Sequence, residues 1–123
     1  AVEDQKTSSK NKKVKNDGPA LYVDFPQEEI VAIIEDHEGK THHVVVRVVL
    51  LTRDPLVTQA LAENSALVIS EFLELLESQN YENLLTYDGK VELREVLLKH
   101  LRKSIPDYGY NVEEVLLTKF IMD

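Results

Sequence analysis

An alternation of side-chain types runs through residues 41–51 and predicts a long β-strand. One face of this strand would be wholly apolar, with Val44, Val46, Val48 and Leu50. The other face would be mixed, with His43, Val45, Arg47, Val49 and Leu51. The apolar face must meet helices, whereas the mixed face suggests contact with solvent or with a neighbouring subunit.

Two shorter segments before this strand also have an extended pattern. The β-branched run at residues 30–34 predicts a strand, and residues 36–40 supply a turn in which Gly39 can adopt a positive φ. Residues 21–26 become apolar and predict an extended entry segment, because the residue before Pro26 is biased away from helix.

Two helices and a final strand are predicted in the second half of the chain. Asp54-Pro55 is a helix start signal, and that helix would run to about Glu77, apolar around more than half of its circumference. This width indicates either a second partner or packing against a second buried helix. The next helix would begin near Thr86 or Asp88 and end at Pro106, with its apolar stripe at Leu93, Leu97, Leu101 and Ile105.

Residues 112–122 predict the closing strand, with Leu116, Thr118 and Phe120 on one face. The element order is therefore β-β-α-α-β. It predicts a single α+β domain in which a small antiparallel-type sheet is packed by two helices.

Charge is distributed unevenly along the 123 residues, which carry a formal net charge of −8. Residues 1–20 are polar, with five lysines against three acidic residues, and we expect them to form a flexible linker ahead of a domain at residues 21–123. The remainder then carries −10, which repels nucleic acid and anionic lipid. No segment reaches membrane-spanning length, so any membrane anchor would lie upstream of this chain.

No catalytic or metal-binding motif stands out. The absence of cysteine excludes disulfides and zinc–thiolate sites. His37, His42 and His43 lie near Asp36 and Glu38, but adjacent strand residues point to opposite faces, so solvated or rim histidines are the better interpretation. Gly89-Lys90 lacks the rest of a phosphate loop. The carboxylates of Glu71, Glu74 and Glu77 are explained by a solvated helix face, with no histidine nearby in the pattern. We therefore predict neither enzyme activity, metal nor cofactor.

Several short motifs between Tyr22 and Met122 resemble the FliL family of bacterial flagellar basal-body proteins. The motifs are Tyr81-Glu-Asn-Leu84, Gly89-Lys90 followed by Leu93-Arg94, and a closing Val115, Thr118, Phe120 and Ile121. The chain departs from the family pattern at Ala32, Ser65, Val68, Arg102 and Met122.

This resemblance implies a fold of the stomatin/prohibitin (SPFH) type. It also implies a periplasmic domain of a single-pass inner-membrane protein, with residues 1–20 as the tether. Family members are expected to form a ring around the flagellar stator unit, contacting the plug and linker of its B subunit. Such a ring would stabilise the active stator and support torque and motility.

The candidate contact residues are His43 and Arg47 on the mixed strand face and Tyr108 and Tyr110 in the loop after the second helix. An alternative is a prohibitin-like membrane scaffold that serves another membrane complex. A small enzyme or metal-dependent module is a third hypothesis, which the absence of motifs disfavours.

Overall fold

The computed structural model describes residues 18–123 as an α+β domain with a small antiparallel sheet. The strands are β1 (Leu21–Asp24), β2 (Ile30–Glu35), β3 (Thr41–Thr52) and β4 (Val112–Met122). The helices are α1 (Leu56–Glu63), α2 (Ser65–Glu77), α3 (Tyr81–Leu84) and α4 (Tyr87–Ser104), and a 3₁₀ turn covers Gly109–Asn111. Most of the predicted linker at residues 1–20 lies outside the described residues, and the likeness to the SPFH fold stays a prediction.

The long strand β3 is the centre of the sheet, and every other described strand pairs with it. β1 and β2 lie end to end along one side of β3, with Val23 opposite Leu50 and Ala32 opposite Val44. β4 pairs along the other side. The predicted β-β-α-α-β order is therefore wrong, because the entry segment is itself a strand. Its extended backbone satisfies its hydrogen-bonding groups on the half of β3 that β2 leaves free.

The core lies between one face of the sheet and the helices, as the alternation in β3 predicts. The side chains of Val44, Val46, Val48 and Leu50 are fully buried. The helices bury their apolar stripes against this face, notably through Phe72 and Leu76 of α2 and through Leu93, Leu97 and Leu101 of α4.

The single helix predicted between Asp54 and Glu77 is divided at Asn64. This residue leaves helical geometry, with φ −117° and ψ 19°, and its Nδ2 donates to the carbonyl oxygen of Ala60 at 2.8 Å. An asparagine side chain that binds a nearby backbone carbonyl competes with helix continuation. The start signal itself is confirmed, since the Asp54 carboxylate accepts from the backbone N–H of Leu56 at 2.9 Å.

The helices α3 and α4 begin with side-chain caps. Asn80 Oδ1 accepts from the N–H of Asn83 at 2.8 Å, and Thr86 Oγ1 accepts from the N–H of Gly89 at 3.0 Å. Of the two predicted caps for α4, Thr86 is therefore the one used. The helix ends at Ser104, before Pro106, as predicted. Within residues 18–123, every helix is too short or too polar to cross a lipid bilayer.

Because β4 contains a β-bulge, its side chains are divided between the two faces differently from the prediction. Lys119 pairs with Arg47 but Leu117 pairs with Val48, so Thr118 is an extra residue between them. The bulge reverses the alternation at this point. Phe120 lies opposite the buried Val46 on the helix side of the sheet, whereas Leu116 lies opposite Val49 on the other side. The prediction that Leu116, Thr118 and Phe120 share one face is wrong.

Candidate interaction surfaces

One face of the sheet is covered by helices, and the other is not covered by any element among residues 18–123. We call this second surface the open face; it carries the outward side chains of all four strands. Val31 and Ile33 of β2 are each 53% exposed, and Ile121 of β4 is 51% exposed. Val45 of β3 lies between them, opposite both Val31 and Ile121. Clustered exposed apolar side chains are typical of an interaction surface.

Arg47, predicted as a contact residue, lies on the open face and is half-buried. Its Nη1 is 2.8 Å from Asp24 Oδ2 and donates to the carbonyl oxygen of Gln27 at 3.4 Å. Nearby, Lys119 Nζ is 2.5 Å from Glu29 Oε2, and this ion pair lowers the pKa of Glu29. Arg47 and Lys119 of the open face are thus engaged with carboxylates of β1 and of the β1–β2 connection. Partly exposed pairs of this kind contribute little to stability.

His43, the second predicted contact residue on the mixed face, is exposed and lies at the end of the sheet. Its Nδ1 is 3.1 Å from Asp123 Oδ2, and its backbone N–H donates to Asp123 Oδ1 at 2.8 Å. The hydrogen bond from this backbone N–H is the largest cause of the lowered pKa of Asp123. His43 therefore joins β3 to the residue that follows β4.

His42 has a different environment from the solvated or rim position that we predicted, because its side chain is only 13% exposed. Its Nε2 is 2.8 Å from Asp36 Oδ2. Its ring stacks on Tyr81 of α3, with a centroid separation of 3.9 Å and an interplanar angle of 18°. The hydrogen bond to Asp36 raises the pKa of His42, and the same bond lowers the pKa of Asp36 to about 2.

A third histidine, His37, lies at the tip of the β2–β3 hairpin. His37 Nδ1 is 2.7 Å from Glu82 Oε2, a contact that raises the pKa of His37 and lowers that of Glu82. The histidines thus connect the hairpin to α3 and to the residue after β4. Within residues 18–123, the structure places no group of three or more His, Asp or Glu side chains suitably for a metal ion.

Glu71, His100 and Ser104 form one cluster that the sequence pattern did not reveal. Glu71 Oε1 accepts from Ser104 Oγ and lies 3.2 Å from His100 Nε2. The serine is therefore hydrogen-bonded to an oxygen that the histidine only approaches, since His100 Nε2 makes no hydrogen bond within residues 18–123. In a nucleophilic triad the histidine would stand between the serine and the carboxylate. The sequence pattern gave no sign of a histidine close to Glu71 in space, and His100 does not stand between Ser104 and the carboxylate as a triad requires.

Tyr108 and Tyr110, the other predicted contact residues, lie after α4. Tyr108 is half-buried and packs against the core, whereas Tyr110 is 37% exposed. The Tyr110 ring lies 5.5 Å from the Arg102 guanidinium, within the range of a cation–π contact. These tyrosines contact the helix layer, so the structure does not gather them with His43 and Arg47 into one site.

A groove with a cavity volume of about 560 Å³ lies between the β1–β2 connection and the helices α1 and α2. Its apolar lining comes from Phe25, Ile30, Leu61, Ile69 and Leu73, among other residues. Asp24, Glu28 and Glu29 add carboxylates to it. The sequence pattern did not indicate this groove, since its walls come from two regions that are distant along the chain.

The residues that carry the family resemblance belong mostly to the scaffold. Leu84, Leu93 and Val115 are buried in the core. Gly89 is buried where a Cβ atom would overlap the carbonyl oxygen of Asn83. Tyr81 stacks on His42, Thr118 lies at the bulge, and the Phe120 ring lies 5.0 Å from Lys90 Nζ. Ile121 is an exception, because it is exposed on the open face.

The family model for the flagellar basal body-associated protein FliL matches residues 22–122, well over half of the 123-residue chain. The chain belongs to the FliL family. This assignment agrees with the resemblance that the sequence motifs indicated. FliL proteins are structural accessories of the flagellar basal body, so this domain is associated with the flagellum and with motility. No match to a curated protein was found for the chain.

Proposed function

We propose that this FliL domain assembles with further copies of itself around the flagellar stator unit and stabilises the active state of the stator. Membership of the FliL family over residues 22–122 carries the proposal. The open face supports it, because a sheet face with exposed apolar side chains, left uncovered by residues 18–123, offers a site for a neighbouring chain. The domain would act by binding and not by catalysis.

A closed ring needs two different surfaces on each copy, since a head-to-tail contact joins unlike patches. The open face, with Ile33 and Ile121, is one candidate. The outer side of the helices is the other, because Leu67 of α2 and Leu56 of α1 are half exposed. These surfaces lie on opposite layers of the domain, so they satisfy the need for two different patches.

The effect on the stator would be a population shift. A ring that binds the active stator more tightly than the inactive one increases, at saturation, the ratio of active to inactive stator by the ratio of the two affinities. Each tenfold ratio corresponds to about 1.4 kcal/mol. No covalent step is needed.

The partner in this proposal is the periplasmic plug and linker of the stator B subunit. The domain would lie in the periplasm, tethered by residues 1–20 to a single spanning helix upstream of this chain. Tyr110 and His43 are the more exposed of the four predicted contact residues. Arg47 and Tyr108 are half-buried, and we expect their replacement to affect the contact less directly.

Cysteine crosslinking tests the assembly, because the chain contains no cysteine of its own. We expect the double variant Ile121→Cys/Leu67→Cys to form a ladder of covalent oligomers in cells under mild oxidation. Either single variant is the matched control and can form dimers at most. Absence of the ladder, with both variants folded and produced at normal levels, would count against a head-to-tail contact between these two surfaces.

Cell motility tests the stator role separately. Cells without the gene should swim more slowly in viscous medium, where load is high, and their labelled stator units should reside at the motor for shorter times. Normal motility under load, together with unchanged stator residence, would refute the stator role. If the ladder forms but the stator is unaffected, the assembly serves another membrane complex.

A further inference from the structure

The ring of His42 faces hydrogen-bond acceptors on both of its nitrogens. Nε2 is 2.8 Å from Asp36 Oδ2, and Nδ1 is 3.1 Å from the backbone oxygen of Asp123. A neutral imidazole has one N–H group and one lone pair, whereas the imidazolium has two N–H groups. Only the protonated ring can therefore donate to both oxygens at once.

Neither acceptor can take over the role of donor. The other carboxylate oxygen of Asp36 accepts from the backbone N–H groups of Glu38 and Lys40, each at 2.9 Å. The hydrogen bond from His42, together with these turn hydrogen bonds, lowers the pKa of Asp36 to about 2, so this carboxylate stays ionised at neutral pH. The backbone oxygen of Asp123 has no proton to donate. The geometry around His42 therefore favours the imidazolium.

The groups that face the ring come from three other parts of the domain. Asp36 belongs to the β2–β3 turn, Tyr81 belongs to α3, and Asp123 follows β4. The hydroxyl of Tyr81 donates to the same backbone oxygen of Asp123 at 3.2 Å, while its ring stacks on His42. An aromatic face stabilises a cation that lies against it. The protonated ring thus joins the hairpin, α3 and the end of β4.

The other charged groups at this end of the sheet also bear on the ring. The side chain of Asp123 places Oδ1 3.7 Å from His42 Nδ1, which adds to the attraction for a positive charge. The exposed His43 shares that carboxylate, with Nδ1 3.1 Å from Oδ2. His37 is paired with Glu82 at 2.7 Å. The carboxylates of Asp36 and Asp123 therefore provide the attraction that a proton on His42 experiences.

Loss of this proton would break one contact of the ring and preserve the other. The carboxylate of Asp36 is held by its turn and makes the shorter contact, so the neutral ring keeps its N–H on Nε2. Nδ1 then presents a lone pair to the backbone oxygen of Asp123. Two acceptors that face each other in a partly buried site are unfavourable. The contact that is lost is the one that holds the end of β4.

We propose that His42 is a pH-dependent latch that joins the end of β4 to the β2–β3 hairpin and α3. With the imidazolium, Asp123 is held and the last residues of β4 lie on β3, with Ile121 opposite Val45. With the neutral ring, Asp123 is released and β4 frays from this end.

The direction of the pH response follows from the pKa of His42. The hydrogen bond to Asp36 raises this pKa from its ordinary value of 6.5. The latch is therefore complete below 6.5 and opens as pH rises through the raised value. The inference does not rest on the motor role, because all of these contacts lie within the folded domain.

NMR spectroscopy of the full 123-residue chain between pH 5 and pH 9 tests the latch. We expect the ring nitrogens of His42 to titrate above pH 6.5, and the neutral ring to carry its proton on Nε2. The heteronuclear NOE values of the Met122 and Asp123 amides should indicate ordered backbone at pH 5 and should fall with the same midpoint. The amide of Phe25, which donates to the carbonyl oxygen of Val48, is the internal control and should not change. Titration of His42 at or below pH 6.5, or an end of β4 equally ordered at both extremes, would overturn the proposal.

Two histidine variants locate the latch. His42→Gln removes the titratable ring, so the order at Asp123 should no longer depend on pH. His43→Gln is the matched control, because His43 is the neighbouring residue and also contacts Asp123. This control should keep the change in order, with nearly the midpoint of the parent. A pH response that survives in His42→Gln, or that disappears in His43→Gln, would show that the latch is not His42.

Asp36→Asn separates a latch from a purely structural contact. Asparagine retains an oxygen for the turn N–H groups but removes the negative charge that favours the imidazolium. The pKa of His42 should fall, and the pH at which Asp123 is released should fall by the same amount. A lowered pKa with an unchanged pH of release would refute the proposal. This variant keeps the test decisive even if His42→Gln does not fold.

Discussion

Replacing Gly89 by alanine is expected to destabilise the domain, although helix propensity alone predicts the opposite. Gly89 lies in the first turn of α4, and alanine is favoured over glycine in helices by about 0.8–1 kcal/mol. At this position, however, the added Cβ would overlap the carbonyl oxygen of Asn83 in α3. The two effects oppose each other. The sign of the change in the free energy of unfolding therefore shows how closely α3 and α4 pack.

The structure indicates which effect is larger. The Asn83 oxygen accepts from Thr86 N at 3.0 Å and from Thr86 Oγ1 at 2.6 Å. Since it is a backbone atom, relieving the overlap requires α3 to move away from α4. Overpacking costs about 1–3 kcal/mol, and each weakened hydrogen bond costs a further ~0.5–1.5 kcal/mol. After the gain in propensity, we expect a net loss of about 1–5 kcal/mol.

Urea unfolding of the full chain, followed by circular dichroism, measures this loss. The midpoint should fall while the m-value stays constant, which would show that the folded state itself is destabilised. Glu95→Ala, at an exposed position of the same helix, is the control and should change the free energy of unfolding by less than about 0.5 kcal/mol. A Gly89→Ala variant as stable as the parent, or more stable, would refute the close packing of α3 on α4.

Three further predictions concern the core, a helix cap and pH. Phe72→Ala should cost about 3–5 kcal/mol because the ring is fully buried, whereas half-buried Phe120→Ala should cost less, about 1–3 kcal/mol; a Phe120→Ala variant that melts like the parent would contradict the β4 register, which places Phe120 on the helix side of the sheet. Thr86→Ala should cost about 0.5–2 kcal/mol, and Thr86→Ser should restore most of it in the same assay. The raised pKa of His42 adds stability that is complete below the ordinary value of 6.5 and is lost as pH rises through the raised value. The lowered pKa of Asp36 adds stability that is present above 3.8 and is lost as pH falls through about 2. Urea midpoints at pH 5 and pH 8 should therefore differ less in His42→Gln than in the parent, and an unchanged difference would exclude His42 as the source.

The features predicted from sequence are those in which neighbouring residues carry the information. The alternation in β3 and the four-residue spacing from Leu93 to Leu101 arise from local periodicity. The apolar face of β3 and the apolar stripe of α4 are both buried, as predicted. Thr86 was recognisable because a cap and its helix are adjacent. Asn64-Ser65 carried a weak signal for the break between α1 and α2, since both residue types favour caps over helix interiors, but the apolar stripe on either side obscured it.

The features that were missed depend on contacts between distant parts of the chain. The bulge at Thr118 exists only relative to β3, and the pairing of the entry segment depends on the space that β2 leaves beside β3. His42 is buried because Tyr81 of α3 stacks on it, a contact that no local pattern contains. The groove depends in the same way on the position of α2 against β2.

The position of β4 has a consequence for how the domain reaches its folded state. The strand at the centre of the sheet is completed by the last strand of the chain, with Val44 opposite Met122 and Leu50 opposite Val115. During synthesis, one side of β3 stays unpaired until residues about 65 to 80 positions later in the chain have been made. Contacts between residues so far apart in sequence slow folding. The helices, in contrast, can form as soon as their own residues are available. A chain interrupted before β4 would therefore present unpaired β3 backbone beside its apolar side chains, which makes it prone to aggregation.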